Sequence, residues 1–278
     1  MTITPRDRKL FRHLSSYGML TTKHINEIIF NGIATTTVLR RLRFLVGENY
    51  LKRLTGLESQ DVLWTITDKA TLLGEGEQFK RYWNKNLLEH DFKLLNLRLT
   101  LERQGIAKSW IPEHEIRFLV FKKYGIKAAQ RMLVPDGLMI TEVQSKKVSV
   151  AIELELSLKN KDRLRNIFFR YLEKNDLSYI WYICQGPMIA NSVLKTWERV
   201  KGAKSPIKLR CSLLDEVMQN PKATWTDGAH SPAQRVSTPK EGNPITPSKL
   251  TIENRRPYPV SNAPPNPPVS PDHPHITS

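Results

Sequence analysis

The chain has 278 residues and a net charge of +16, with Lys and Arg spread along it rather than gathered in one tail. No apolar run approaches the length of a membrane span, the opening MTITPRDRKLFRHL lacks an apolar signal core, and the two cysteines, Cys184 and Cys211, have no metal-ligand spacing. These features argue against a membrane-inserted or disulfide-stapled class. They favour a reduced, cytoplasmic protein of about two domains whose basic surface meets an anionic partner, nucleic acid first.

In chain order, Thr4-Pro5-Arg6-Asp7 is a helix start: a capping Thr, Pro at the first position and an acid in the first turn. Leu10, Phe11 and Leu14 mark its apolar face, and Gly18 ends it. A second helix follows over Lys23 to Phe30, then a turn at Asn31-Gly32. A third helix, opened by Thr35-Thr36-Thr37, runs to Val46. Tyr50–Leu54 and Val62–Ile66 read as the two strands of a hairpin. Three short helices and a hairpin is the order of a winged helix-turn-helix, whose third helix enters the major groove of DNA. Its exposed face offers Thr35, Thr36, Arg40, Arg41 and Arg43, with Lys52 and Arg53 at the hairpin as backbone contacts.

Residues 79–218 read as a second, α/β (α+β) domain. A long amphipathic helix spans about Leu87 to Gln104, with Glu89 and His90 in its first turns; His90 is a ligand, a general base or, more simply, a structural histidine. Ser109–Ile111 and Ile116–Phe121 resemble strand pieces around Pro112, and Glu113-His114-Glu115 between them would point to opposite sides of an extended run. Lys122, Lys123, Lys127 and Arg131 read as a basic loop. Strands over Met132–Ile140 and Lys147–Ser157, a helix over Lys161–Lys174 with Tyr171 core-facing, a strand over Leu177–Cys184, a helix over Asn191–Lys201 and a strand over Ile207–Leu213 complete it. From 219 onward most of the prolines gather, apolar residues thin out, and a disordered tail is expected; His273 and His275 lie within it.

The chemistry concentrates in VPDGLMITEVQSKKVSVAIELELSLKNK, residues 134–161. Val148, Val150, Ile152, Leu154 and Leu156 recur at period two, so Glu153 and Glu155 share the opposite face of one strand. Such a face meets water in many antiparallel sheets. Two adjacent carboxylates otherwise need a cation between them or a proton on one. With Asp136 they form an all-oxygen set suited to Mg2+ or Mn2+, and Lys159, Lys161, Arg163 and Arg165 follow to meet phosphate.

Pro135-Asp136 followed by Glu153-Leu154-Glu155 resembles the signature of PD-(D/E)xK endonuclease-like folds, with Glu155 standing where that family has Lys. Lys159 or Lys161 would take the role of that lysine. By the same resemblance Glu89 would supplement the metal site. A winged helix over 1–78, an endonuclease-like domain over 79–218 and a Pro-rich tail over 219–278 together resemble the MOBC class of plasmid mobilisation relaxases, within the replication-relaxation proteins. The resemblance implies metal-dependent, strand-specific nicking of double-stranded DNA at a transfer origin. Asp136, Glu153 and Glu155 would hold the metal, and a coupling protein or other relaxosome proteins would be partners. Two other readings stay open: a non-catalytic origin-binding accessory or regulator on the same fold, and a defence nuclease with weak sequence choice.

Overall fold

A computed structural model describes residues 2–57, 62–73, 84, 87–174, 176–201 and 206–226, all of which fall in one compact unit. The chain is mixed α/β, with one small and one large sheet. The first helix, α1 (Pro5–Tyr17), starts where Thr4 and Asp7 cap each other: the Thr4 hydroxyl accepts from the Asp7 N–H, and the Asp7 carboxylate accepts from the Thr4 N–H at 2.7 Å. It stops at Gly18, whose φ of 81° is the left-handed conformation that glycine tolerates. Strand β1 (Leu20–Thr21), α2 (Thr22–Ile28), α3 (Thr35–Gly47), β2 (Leu51–Leu54), β3 (Leu63–Ile66) and α4 (Asp68–Thr71) follow. The three strands form an antiparallel sheet in the order β1-β3-β2. Leu10, Phe11, Leu14, Ile25, Val38, Leu42, Leu45 and Leu63 make its core.

The link to the second half is α5 (Leu88–Arg103). Leu88, Leu95 and Leu99 pack into the N-terminal core, whereas Leu97 and Leu101 enter the core of the large sheet. Because α5 is apolar on two sides, it lacks the single stripe of a surface helix. Arg98 on this helix is almost fully buried and fully occupied. It donates to the Ser16 carbonyl at 2.8 Å, to Ser16 Oγ at 3.0 Å and to Glu102 at 2.8 Å, and lies 4.2 Å over the Tyr17 ring. A guanidinium at the carboxyl end of α1 satisfies the Ser16 carbonyl and complements the helix dipole. The expected domain boundary at 78/79 lies outside the described residues.

The large sheet has the order β4-β5-β6-β7-β8. Strands β4 (Ser109–Pro112), β5 (Gly137–Val143) and β6 (Lys146–Glu155) pair antiparallel, β4 with β5 and β5 with β6. From β6 onward, β7 (Tyr179–Cys184) and β8 (Lys208–Leu213) run parallel, joined through α8 (Lys161–Leu172) and α9 (Pro187–Val200). Helices α8 and α9 cover one face. The other carries α5, α10 (Leu214–Gln219) and α11 (Pro221–Thr226).

Two expectations change, and one open alternative is settled. Residues 116–121 are not strand but lie in α6 (Glu113–Tyr124), and the basic loop is the end of α6 and α7 (Ile126–Arg131). Glu113 and Glu115 in the first turn, Lys122 and Lys123 in the last, and Gly125 at φ 83° favour a helix there over a strand. The face of β6 bearing Glu153 and Glu155 does not meet water; both residues are buried. The chain also stays helical beyond 219. Trp225 on α11 is buried against Trp181 at 5.1 Å, with the Arg210 guanidinium 4.4 Å over its ring. Residues 227–278, which hold the rest of the expected tail, lie outside the described residues. Trp225→Ala should cost about 3–5 kcal/mol, as for a large buried aromatic, measured by urea unfolding followed by circular dichroism.

Candidate active site and nucleic-acid interface

Gly137 opens β5 directly after Asp136, and a Cβ there would stand 2.3 Å from the indole of Trp110. The glycine is therefore required by close approach: the Trp110 indole packs against the start of the strand, next to the residue that follows Asp136. At the other end of β5, Gln144 and Ser145 both have positive φ, giving the tight hairpin that returns the chain as β6. Its register pairs Gly137 with Ile152. Asp136 thus arrives beside the carboxyl end of β6, and its Oδ2 accepts the Leu154 N–H at 2.8 Å.

Glu153 and Glu155 occupy that end of β6, opposite Tyr182 and Cys184 of β7. The Tyr171 hydroxyl on α8 donates to Glu153 Oε1. Burial, then the nearby charge of Asp136, pushes the Glu153 carboxyl well above its ordinary range, against the opposing pull of Tyr171 and Lys159. The Tyr182 hydroxyl is buried on the same face and, among the described residues, meets no hydrogen-bond partner. Lys159, four residues past β6, pairs with Glu155. Lys161 does not join it; as the first residue of α8 it is exposed to solvent.

From α5 it is His90, the neighbour of Glu89, that reaches the site. Its Nε2 lies 3.4 Å from Asp136 Oδ2 and 3.1 Å from the Leu154 carbonyl, and its Nδ1 lies 3.5 Å from Asp91. Burial opposes a charge on this ring, but hydrogen bonds to Asp136 and Asp91 outweigh it and raise its pKa to about 10.

A cleft of about 650 Å3 opens onto Asp136, Glu153 and Lys159, and Arg117, Arg131, Arg163 and Arg170 also line it. Anionic groups at the floor and guanidinium groups along the walls suit a phosphate that meets a cation. The three carboxylates are hard oxygen donors, and Glu153 beside Asp136 has the raised proton affinity that a divalent cation would relieve. Among the described residues, however, no three His, Cys, Asp or Glu side chains stand together as a ready ligand cluster. Each carboxylate is turned to a protein partner instead: Asp136 to the Leu154 amide, Glu153 to Tyr171 and Glu155 to Lys159.

In the N-terminal half, Thr35, Thr36, Arg40 and Arg43 are exposed on α3, and Lys52 and Arg53 are exposed on β2. Arg41 is placed differently. Its guanidinium pairs with Asp7, which is 1% exposed, donates to the Thr2 carbonyl at 2.9 Å and lies 4.7 Å over the Phe44 ring. That commits Arg41 to joining α1 and α3. A groove of about 900 Å3 runs beside it, with Ile29, Phe30 and Ile33 at its base and Arg6, Lys9, Arg12 and Arg40 at its rim.

Sequence reading weighed His90 as a structural residue and Tyr171 as core; both are packed as such, yet both also touch the carboxylates. No local signal could have paired Tyr171 with Glu153, because the contact depends on how α8 lies across β6. Comparison with known protein families, characterised proteins and solved structures found no match.

Two pH effects follow. Burial disfavours charge on Asp7, but hydrogen bonds from Arg41 and Thr4 prevail and lower its pKa. Its contribution is present above the unfolded value near 3.9 and is lost as pH falls through the lower folded value. Asp7→Asn should therefore cost on the order of 3 kcal/mol at pH 7 and flatten the stability profile below about pH 4, by urea unfolding. His90, with its pKa raised, should remain protonated at pH 8 in metal-free buffer. Imidazole carbon shifts in NMR should titrate near 10 rather than 6.5.

Proposed function

We propose that this chain is a plasmid mobilisation relaxase, a metal-dependent endonuclease that nicks one strand of double-stranded DNA at a transfer origin. The observation that carries the reading is the meeting of Asp136, Glu153, Glu155 and Lys159 at the carboxyl end of β6, with arginines on the walls of the same cleft. That edge of the parallel strands is where ligands bind in open α/β sheets. Antiparallel β5 and β6, then parallel β7 and β8 joined through helices, agree with a PD-(D/E)xK endonuclease-like core. The N-terminal helices and three-stranded sheet agree with a winged helix-turn-helix.

In this reading Asp136, Glu153 and Glu155 would hold Mg2+ or Mn2+, which lowers the pKa of a bound water and offsets charge on phosphate. Lys159 stands where a cation is needed although Glu155 occupies the usual lysine position. It reaches the site from the loop after β6 and neutralises Glu155 until phosphate competes for it. His90 holds Asp136 and the Leu154 carbonyl in place, and Tyr171 holds Glu153. Arg40 and Arg43, with Thr35 and Thr36, would read the duplex from α3, while Lys52 and Arg53 would hold its backbone. A coupling protein or other relaxosome proteins would complete the assembly. Among the described residues no helix is long and apolar enough to cross a membrane.

One observation favours a second reading. The three carboxylates are each engaged by protein groups rather than arranged as ligands. A chain kept for origin binding alone would leave them so.

Supercoiled plasmid nicking separates the readings. Purified protein with Mg2+ or Mn2+ should convert origin-bearing plasmid to open circles, and Glu153→Ala should abolish this while duplex binding persists. Tight origin binding without conversion at any metal concentration would establish the non-catalytic reading. Cleavage regardless of origin would point to a defence nuclease. Arg40→Ala should weaken duplex binding and lower the salt slope by about one if the residue meets phosphate. Arg41→Ala should instead lower folding stability.

A further inference from the structure

Helices α6 and α7 contribute no buried residue to any core. A helix in a monomer normally buries its large apolar side chains, yet this pair exposes Phe121 at 49%, Tyr124 at 57% and Ile126 at 61%. Phe118, Phe121 and Tyr124 recur every third residue and therefore form a row along α6. The rings of Phe118 and Phe121 are 6.5 Å apart and tilted by 48°. Cations interleave with them: Lys123, Lys127 and Arg131 are exposed, and Lys123 Nζ lies 4.9 Å from the Tyr124 ring.

The position of the pair matters as much as its surface. Arg117 of α6 donates to the Ala129 carbonyl of α7 at 3.2 Å and so ties the two helices together. Arg117 and Arg131 also line the cleft that holds Asp136 and Glu153. The helix pair that carries the aromatics thus also supplies part of the lining of the acidic cleft.

We propose that the α6–α7 pair is a stacking arm for single-stranded DNA, guiding an unpaired strand into the cleft. Unpaired bases have free faces to lay on aromatic rings, and a duplex does not; lysines and arginines beside the rings then track the phosphates. A face for a second copy of the chain would be poor in charge at its centre, whereas here basic residues stand between the apolar ones. The inference rests on the nicking reading for its biological use, but not for its binding chemistry.

The test is fluorescence anisotropy of the full chain with a labelled oligothymidine and, in parallel, a duplex of equal length. Phe121→Leu/Tyr124→Leu keeps the apolar area and removes the rings. It should weaken binding of the single strand about tenfold or more and change duplex binding less than about twofold. Lys123→Gln/Lys127→Gln should lower the single-strand salt slope by about 0.7 per lysine. Unchanged single-strand affinity in the leucine variant, or equal losses for both DNA forms, would overturn the proposal. So would a wild-type dimer, seen by sedimentation, that dissociates on Phe121→Ser/Tyr124→Ser. Glu153→Gln keeps the two ideas separate. Ring-dependent single-strand binding in a chain that never nicks sustains the arm and removes the nicking reading. Glu153-dependent nicking with ring-independent binding does the reverse.

Discussion

Two carboxylates on the central strand are buried beneath a helical layer, and much of the C-terminal half depends on making that tolerable. An ionised carboxylate out of water is costly unless it is paired and hydrogen-bonded. Glu155 has Lys159, Glu153 has the hydroxyl of Tyr171, and Asp136 has the Leu154 amide with His90 beside it. Each partner comes from a different element: the loop after β6, α8, the backbone of β6 itself and α5. Trp110 packs against Gly137, the residue that follows Asp136. The local polypeptide therefore carries a strong electrostatic load that no single segment could satisfy.

The same logic governs the N-terminal half on a smaller scale. Asp7 caps its own helix and, being nearly inaccessible, draws Arg41 across from α3. At the other end of α1, Arg98 takes the carbonyl and hydroxyl of Ser16. Helix α1 thus has an acid at its amino end and a cation at its carboxyl end, in agreement with the dipole at both. These two contacts fasten it to α3 and to α5.

What could be read from sequence divides by the range of the signal. Period-two alternation in Val148–Leu156 identified β6 and put both glutamates on one face, because strand geometry is local. It could not say that α8 and α9 would cover that face. The three N-terminal helices were legible from caps and apolar spacing. Helix α6 was misread as strand: Pro112 and the run Ile116–Phe121 suggested extended structure, although the acid-first, base-last pattern ending in Gly125 was present. Among the arginines of α3, composition could not single out Arg41 as the one tied to the fold. That distinction depends on Asp7, which is distant in sequence. Trp225 was lost in a Pro-rich background, since its partners on β7 and β8 become neighbours only in the folded sheet.

Helix α5 lends leucines to both cores, and its Arg98 closes onto α1. A shared helix of this kind leaves little freedom for a hinge between α3 and the cleft on the large sheet. If the exposed side of α3 grips one stretch of duplex and the cleft acts on another, the interval between them is set by the protein as by a fixed caliper. Changing that interval would require a different register of α5, not a longer tether.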